Sequence, residues 1–200
     1  MPAAATTSTS MSTAAKQVTR SLAWSVERDS GVKTCRTYGH VLSKESVMEW
    51  ERHKEMFAWD GSLIDIYVQG TDGADWQRLL DGLRVGPYDA RYRVGEERQP
   101  LPERIETIFV QRQDTSVALL VDESDLGLIC YFFWPDEIEF DLDPRAINDK
   151  TSLDRLLAFV RALGQLLGKD VIMTPESLPE RPFFRYDPRS GKEDWPIYDD

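Results

Sequence analysis

Hydrophobic and polar residues alternate with a period of two in two separate stretches of the chain, 61–70 and 135–144. Successive side chains of a β-strand point to opposite faces, so this period predicts two strands that each have an apolar and a polar face. The apolar positions of the two stretches are Ile64, Ile66, Val68, Ile138, Phe140 and Leu142. The polar positions are Asp65, Tyr67, Gln69, Glu137, Glu139, Asp141 and Asp143.

Three further strands are predicted from apolar runs. The segments 117–121, VALLV, and 128–134, LICYFFW, are apolar at nearly every position and are separated by the turn-like sequence DESDLG. They predict the two central strands of a hairpin with both faces covered. The acidic stretch then follows as a third antiparallel strand, and a short strand is predicted in DVIMT, residues 170–174.

Apolar residues recur with the helical period of 3.6 in three segments, 43–57, 71–84 and 151–168. The last of these has the longest apolar stripe, and Gly168 is expected to end it. Ser, Thr and Asp commonly cap the first turn of a helix. The capping candidates are Thr71 or Asp72 for the second segment and Thr151 or Ser152 for the third.

This order of elements predicts an α+β fold in which a mostly antiparallel sheet has its helices packed on one face. A single domain is expected over 21–187, because one hydrophobic core usually serves about 100 to 200 residues. Residues 1–20 hold almost no large apolar side chains, which predicts a disordered tail. Residues 188–200 are predicted to form a polar C-terminal tail, and the Gly- and Pro-containing segment 85–103 a long surface connection, with a brief extended piece at 91–94.

The charge of the chain limits its partners. Twenty-four Lys and Arg against 35 Asp and Glu give a net charge of −11, which repels nucleic acids and anionic membrane surfaces and attracts basic partners. We therefore expect neither nucleic acid nor a membrane as a partner, and no apolar run is long enough to span a bilayer. Two cysteines and two histidines at distant positions do not predict a zinc site, and they fit a reducing cytoplasm.

The acidic strand, 137–143, has four possible interpretations. Same-face residues of one strand stand about 6.6 to 6.8 Å apart, whereas Mg²⁺ or Ca²⁺ needs several oxygens at about 2.0 to 2.6 Å, so this strand alone cannot form a metal site. A catalytic carboxylate pair needs a separation of about 5 to 9.5 Å, which the spacing permits. A solvated strand face or a docking surface for a basic protein fits the single-sign row more simply. The candidate partner-binding residues are Asp65, Tyr67, Glu137, Glu139, Asp141 and Asp143.

Several segments resemble a group of small bacterial proteins, mostly uncharacterised, that are similar in organisation to immunity proteins. These segments are WDGSLIDIYV at 59–68 with the following DW at 75–76, CYFFWPDEIEFDLDP at 130–144, and FVRALGQLLGKDVIMTPE at 159–176. The resemblance covers about residues 57–187. It implies a small acidic α+β protein that neutralises a secreted toxin, and it assigns no catalytic residue.

The sequence holds no phosphate-binding loop, nucleophile elbow, zinc-protease or dinucleotide motif. We therefore expect a cytoplasmic, non-enzymatic binding protein without a cofactor, in the manner of an immunity-type inhibitor with a basic toxin or effector as its partner. One alternative is a small metal-dependent enzyme of a bacterial defence system that uses Asp65, Glu139 and Asp141 around a divalent ion. Another is an adaptor of a secretion assembly.

Overall fold

A computed structural model describes residues 50–122 and 125–196 of the chain. The tail predicted for residues 1–20 and the first part of the helix predicted over 43–57 lie outside these residues. The described part of that helix consists of helical residues 50–53, which continue into the 3-10 turn Lys54–Phe57. Phe57 is buried at the end of this turn and anchors it to the core.

Nine strands of the described residues form one sheet in which every neighbouring pair is antiparallel. Their order across the sheet is β3-β2-β4-β5-β6-β1-β7-β8-β9, so β1 lies between β6 and β7 near the centre. The strands are β1 Ile64–Gln69, β2 Ala90–Val94, β3 Glu97–Gln99, β4 Val117–Val121, β5 Leu128–Tyr131, β6 Glu137–Leu142, β7 Val171–Pro175, β8 Phe184–Asp187 and β9 Lys192–Asp194.

Three α-helices that lie wholly within the described residues pack against one face of the sheet: α1 Gly73–Val85, α2 Ile105–Gln111 and α3 Lys150–Leu167. The side chain of Asp72 caps α1, as one of the two candidates predicted, by accepting hydrogen bonds from the first-turn N–H groups. The cap of α3 is Asp149 rather than Thr151 or Ser152, and its carboxylate accepts from the Ser152 N–H. Gly168 ends α3 in the left-handed conformation, with φ +66°, which favours glycine.

The hydrophobic core lies between these helices and the sheet. One fully buried residue from each of seven strands contributes to it: Tyr92, Leu119, Cys130, Phe140, Ile66, Met173 and Phe184. From the helix side, Phe159 of α3 meets Phe140 edge-on with ring centroids 5.2 Å apart, and Trp76 of α1 lies 5.0 Å from Phe132. The predicted α+β fold, with helices on one face of an antiparallel sheet, is confirmed.

Several short elements differ from the sequence-based expectation. The segment 85–103 contains β2 at the position of the predicted extended piece. It also contains β3, which was not predicted and which forms a hairpin with β2. The predicted domain boundary at residue 187 falls between β8 and β9, which pair with each other. Both β3 and β9 are three-residue edge strands of polar side chains, ERQ and KED, and lack the apolar alternation that identifies a strand. Within the described ranges, no helix is both long and apolar enough to cross a membrane.

Candidate functional site

The two alternating strands are neighbours in the sheet. The pairing of β1 with β6 sets Asp65 opposite Asp141 and Tyr67 opposite Glu139. All four side chains lie on the face of the sheet that the helices leave uncovered, because their neighbours along each strand point into the core. Asp65, Glu139 and Asp141, which we call the carboxylate cluster, each offer an oxygen within 4.8 Å of the other two.

Tyr67 connects two members of the carboxylate cluster. Its hydroxyl lies 2.8 Å from Oδ2 of Asp65 and 3.1 Å from Oε1 of Glu139. A phenol has a single hydrogen, so it cannot donate a full hydrogen bond to both carboxylates at once. Both contacts become full hydrogen bonds when Glu139 is protonated and donates to the phenol oxygen while Tyr67 donates to Asp65.

The loop between β7 and β8 covers Asp65. The backbone N–H of Ser177 donates to Oδ2 of Asp65 at 2.7 Å, and only 2% of the surface of Asp65 remains exposed. Ser177 has φ +60°, a left-handed conformation that is uncommon for residues other than glycine. The neighbouring Glu176 accepts from the N–H of Leu63, which holds the loop against the start of β1.

All three members of the carboxylate cluster have raised pKa values. Burial is the main cause, and the neighbouring carboxylates add to it. The pKa rises to about 7 for Glu139 and to about 6 for Asp141, and that of Asp65 is also raised. Among the residues that the structure describes, no Lys or Arg forms an ion pair with any of the three. The cluster therefore holds a proton near neutral pH or binds a cation from outside the described residues.

The acidic residues at the two ends of the row each have a side-chain partner, but only that of Asp143 is charged. Glu137 accepts a hydrogen bond from Nε2 of Gln69 at 3.1 Å. Asp143 forms an ion pair of 2.6 Å with Arg145, whose guanidinium holds the pKa of Asp143 below its usual range. Of the six predicted partner-binding residues, Asp65 and Tyr67 are buried and the four residues between 137 and 143 are half-buried. The row thus has a central cluster without a counter-ion among the described residues, one end at Asp143 that Arg145 neutralises, and one end at Glu137 that bonds only a neutral amide.

Three aromatic side chains, one half-buried and two exposed, lie beside the acidic residues on the same face. Tyr131 points to this face because it follows Ile129, the residue opposite Asp141, by two positions. Its ring stacks on that of Phe133 with centroids 5.4 Å apart. Trp134 is paired with Glu137 in an isolated antiparallel bridge. We call Tyr131, Phe133 and Trp134 the aromatic patch.

The aromatic patch was not predicted from the sequence. The run LICYFFW was expected to be covered on both faces, and this is wrong for Phe133 and Trp134, which are 42% and 62% exposed. The strand ends at Tyr131, so the alternation is broken and both residues turn outward while Phe132 enters the core. Four consecutive aromatic residues, 131–134, shortly before an acidic strand were the only signal in the sequence.

No family model, curated protein or solved structure matches the chain. We therefore infer the chemistry of the site from its geometry. Three carboxylates without a basic neighbour in the described part of the chain can accept an ammonium group, a guanidinium group or a divalent ion. A single strand could not surround a metal ion, but two paired strands bring three carboxylate oxygens within 4.8 Å of one another.

Proposed function

We propose that this protein is a non-enzymatic binding protein of the immunity type, which blocks a basic toxin or effector in the bacterial cytoplasm through the uncovered face of its sheet. One observation carries this proposal: the carboxylate cluster lies on that face without a counter-ion from the described residues. A basic side chain of a partner supplies the missing charge. Close charge pairs at protein interfaces contribute about 1.5 to 7 kcal/mol to coupling energies.

The overall charge supports a protein as the partner. A net charge of −11 repels phosphate backbones and accelerates encounter with a basic protein. The uncovered face also combines charge with apolar area, because the aromatic patch adjoins the acidic strand. Interfaces between proteins are enriched in aromatic residues in this way, which is a reason to favour a protein over a small ion.

A divalent metal ion is the second candidate for the same three carboxylates. The proximity of their oxygens favours it, and a small metal-dependent enzyme would then be the function. Calorimetric titration with Mg²⁺, Mn²⁺ and Ca²⁺ separates the two candidates. Micromolar binding that is lost in the double variant Glu139→Gln with Asp141→Asn would favour the metal-dependent enzyme. No binding at millimolar ion would exclude that candidate.

Protection of growth tests the immunity function. The product of the gene adjacent to this one is expressed in a sensitive host, with and without this protein. We expect wild-type protein to restore growth and the double variant Glu139→Lys with Asp141→Lys to fail, because like charges then face the basic partner. Glu103→Lys with Asp114→Lys is the matched control, since it changes the net charge equally at two exposed residues next to α2.

Two results would contradict the proposal. One is a neighbouring gene product that does not inhibit growth. The other is protection that the two double variants retain equally, which would exclude the carboxylate cluster from the interface. If the protein is instead an adaptor of a secretion assembly, the neighbouring gene product would not inhibit growth. This protein would then bind a component of that assembly in a charge-dependent way.

A further inference from the structure

We propose that Trp134 and Glu137, with the rest of the aromatic patch, receive an arginine side chain of the basic protein partner. This inference rests on the proposed function and specifies the chemical group that the partner contributes. It concerns the end of β6 that lies away from Asp143, beside the carboxylate cluster.

The backbone places an aromatic ring next to a carboxylate at this position. Trp134 and Glu137 are directly opposite in an antiparallel bridge, where Cβ atoms stand about 4.5 to 5.5 Å apart and the side chains share a face. Trp134 is the most exposed of the aromatic residues in the described chain, at 62%. Glu137 is bonded only to the neutral amide of Gln69, so its charge is not compensated there.

The chain already holds one of its own arginines in an arrangement of this kind at the opposite end of β6. The guanidinium carbon of Arg145 lies 4.1 Å from the centroid of the Trp59 ring. The same guanidinium pairs with the carboxylate of Asp143 at 2.6 Å. Thus a tryptophan and an acidic residue hold an arginine between them at one end, whereas at the other end no arginine of the described residues lies over Trp134.

Arginine fits this pair better than lysine does. A guanidinium is planar, so it stacks on an indole ring while its edge donates two parallel hydrogen bonds to a carboxylate. An ammonium group lacks both the plane and the fork. Tryptophan and arginine are also the residues most often found at the energetic centres of protein interfaces. Charge complementarity with the −11 chain agrees with a basic partner.

A peptide titration tests the inference without knowledge of the partner. The probe is acetyl-Gly-Arg-Gly-amide, added to the full ¹⁵N-labelled chain, with the citrulline and lysine peptides for comparison. We expect the arginine peptide to shift the indole signal of Trp134 and the amide signal of Glu137. The affinity should fall at least threefold with lysine and below detection with citrulline, which keeps the shape and loses the charge.

Variants locate the binding. Trp134→Ala and Glu137→Gln should each lower the affinity for the arginine peptide at least fivefold. Trp59→Ala is the matched control, because it removes a partly exposed tryptophan that Arg145 already covers, and it should leave the affinity unchanged. Melting curves verify that each variant folds, and the exposure of Trp134 predicts that its removal leaves the fold intact.

Equal shifts with the arginine and citrulline peptides, or affinity that Trp134→Ala leaves unchanged, would overturn the inference. If the peptide test fails while growth protection depends on Glu139 and Asp141, the proposed function stands and only the arginine contact is wrong. If the peptide binds as expected while the adjacent gene product is harmless, the arginine contact stands and the immunity function is wrong.

Discussion

The two faces of β1 and β6 differ in whether their side chains find partners within the chain. On the helix side, Ile66 and Phe140 are fully buried among other apolar residues. On the uncovered side, Asp65 and Asp141 lie opposite each other, and burial and like charge raise the pKa of both. Along each strand, therefore, one residue stabilises the fold, whereas the next one lowers the free energy of unfolding and is kept in place by the surrounding structure. Such a division between stabilising and costly residues is typical of functional sites.

The largest effect is expected on the helix side. Phe140→Ala should lower the free energy of unfolding by about 3 to 5 kcal/mol, because it removes a fully buried ring in edge-on contact with Phe159. Urea denaturation measures this difference. Asp141→Ala, one position along the same strand, is the control and should cost little or stabilise. A loss of similar size at both positions would show that the two faces do not differ as described.

The main elements could be predicted because their residues repeat with a clear period. The apolar stripe of α3 and the alternation in β1 and β6 each extend over enough residues for the period to be visible. The helix α2 was missed, since seven residues give only two buried positions, Ile105 and Ile108. The strands β3 and β9 are too short and polar to show any alternation.

The members of the carboxylate cluster were predicted from the sequence as candidate site residues, but their proximity in the fold was not predicted. Asp65 and Glu139 lie on strands whose pairing joins residues more than 70 positions apart, as in the Tyr67–Glu139 hydrogen bond. Nothing in the local pattern of either strand specifies which strand is its neighbour. The cover provided by Ser177 depends likewise on the course of a loop from a third strand. Raised pKa values follow from these long-range contacts and could not be predicted.

The second-largest effect is expected in the pH dependence of stability, and it comes from the carboxyl groups of the uncovered face. Burial raises the pKa of Glu139 to about 7 and that of Asp141 to about 6, so the folded state holds protons that the unfolded chain releases. The resulting stabilisation is complete below the unfolded pKa values and is lost as the pH rises through the folded ones. Relative to Glu139→Gln with Asp141→Asn, the free energy of unfolding of the wild type should fall by about 1 to 2 kcal/mol between pH 4 and pH 8, after a reduction for solvent screening.

Denaturation curves of both proteins at several pH values measure this difference. The comparison with the double variant is needed because other groups, such as Asp72 and Asp149 at the helix N-termini, have lowered pKa values and give the opposite slope. Those groups are common to both proteins, so their contributions cancel. A difference that stays constant between pH 4 and pH 8 would mean that Glu139 and Asp141 titrate as ordinary solvated carboxyls, and the cluster would then require neither a proton nor a cation.

The smallest effect on stability is expected at Asp143, at the end of the acidic row, and its sign should differ from that in the carboxylate cluster. Asp143→Asn removes a charge that Arg145 neutralises, while the amide oxygen can still accept the N–H of Arg145 that caps the turn Pro144–Ala146. The pKa of Asp143 is lowered, so its contribution to stability is present above the ordinary aspartate range and is lost as the pH falls through the folded value. Because the pair is largely exposed, we expect the variant to be less stable by about 0.2 to 1 kcal/mol at pH 7 and in low salt. The difference should shrink in 1 M NaCl and near pH 3. Stabilisation by Asp143→Asn would instead mean that the whole acidic row repels itself, and that Asp143 does not differ from the carboxylate cluster in the way described.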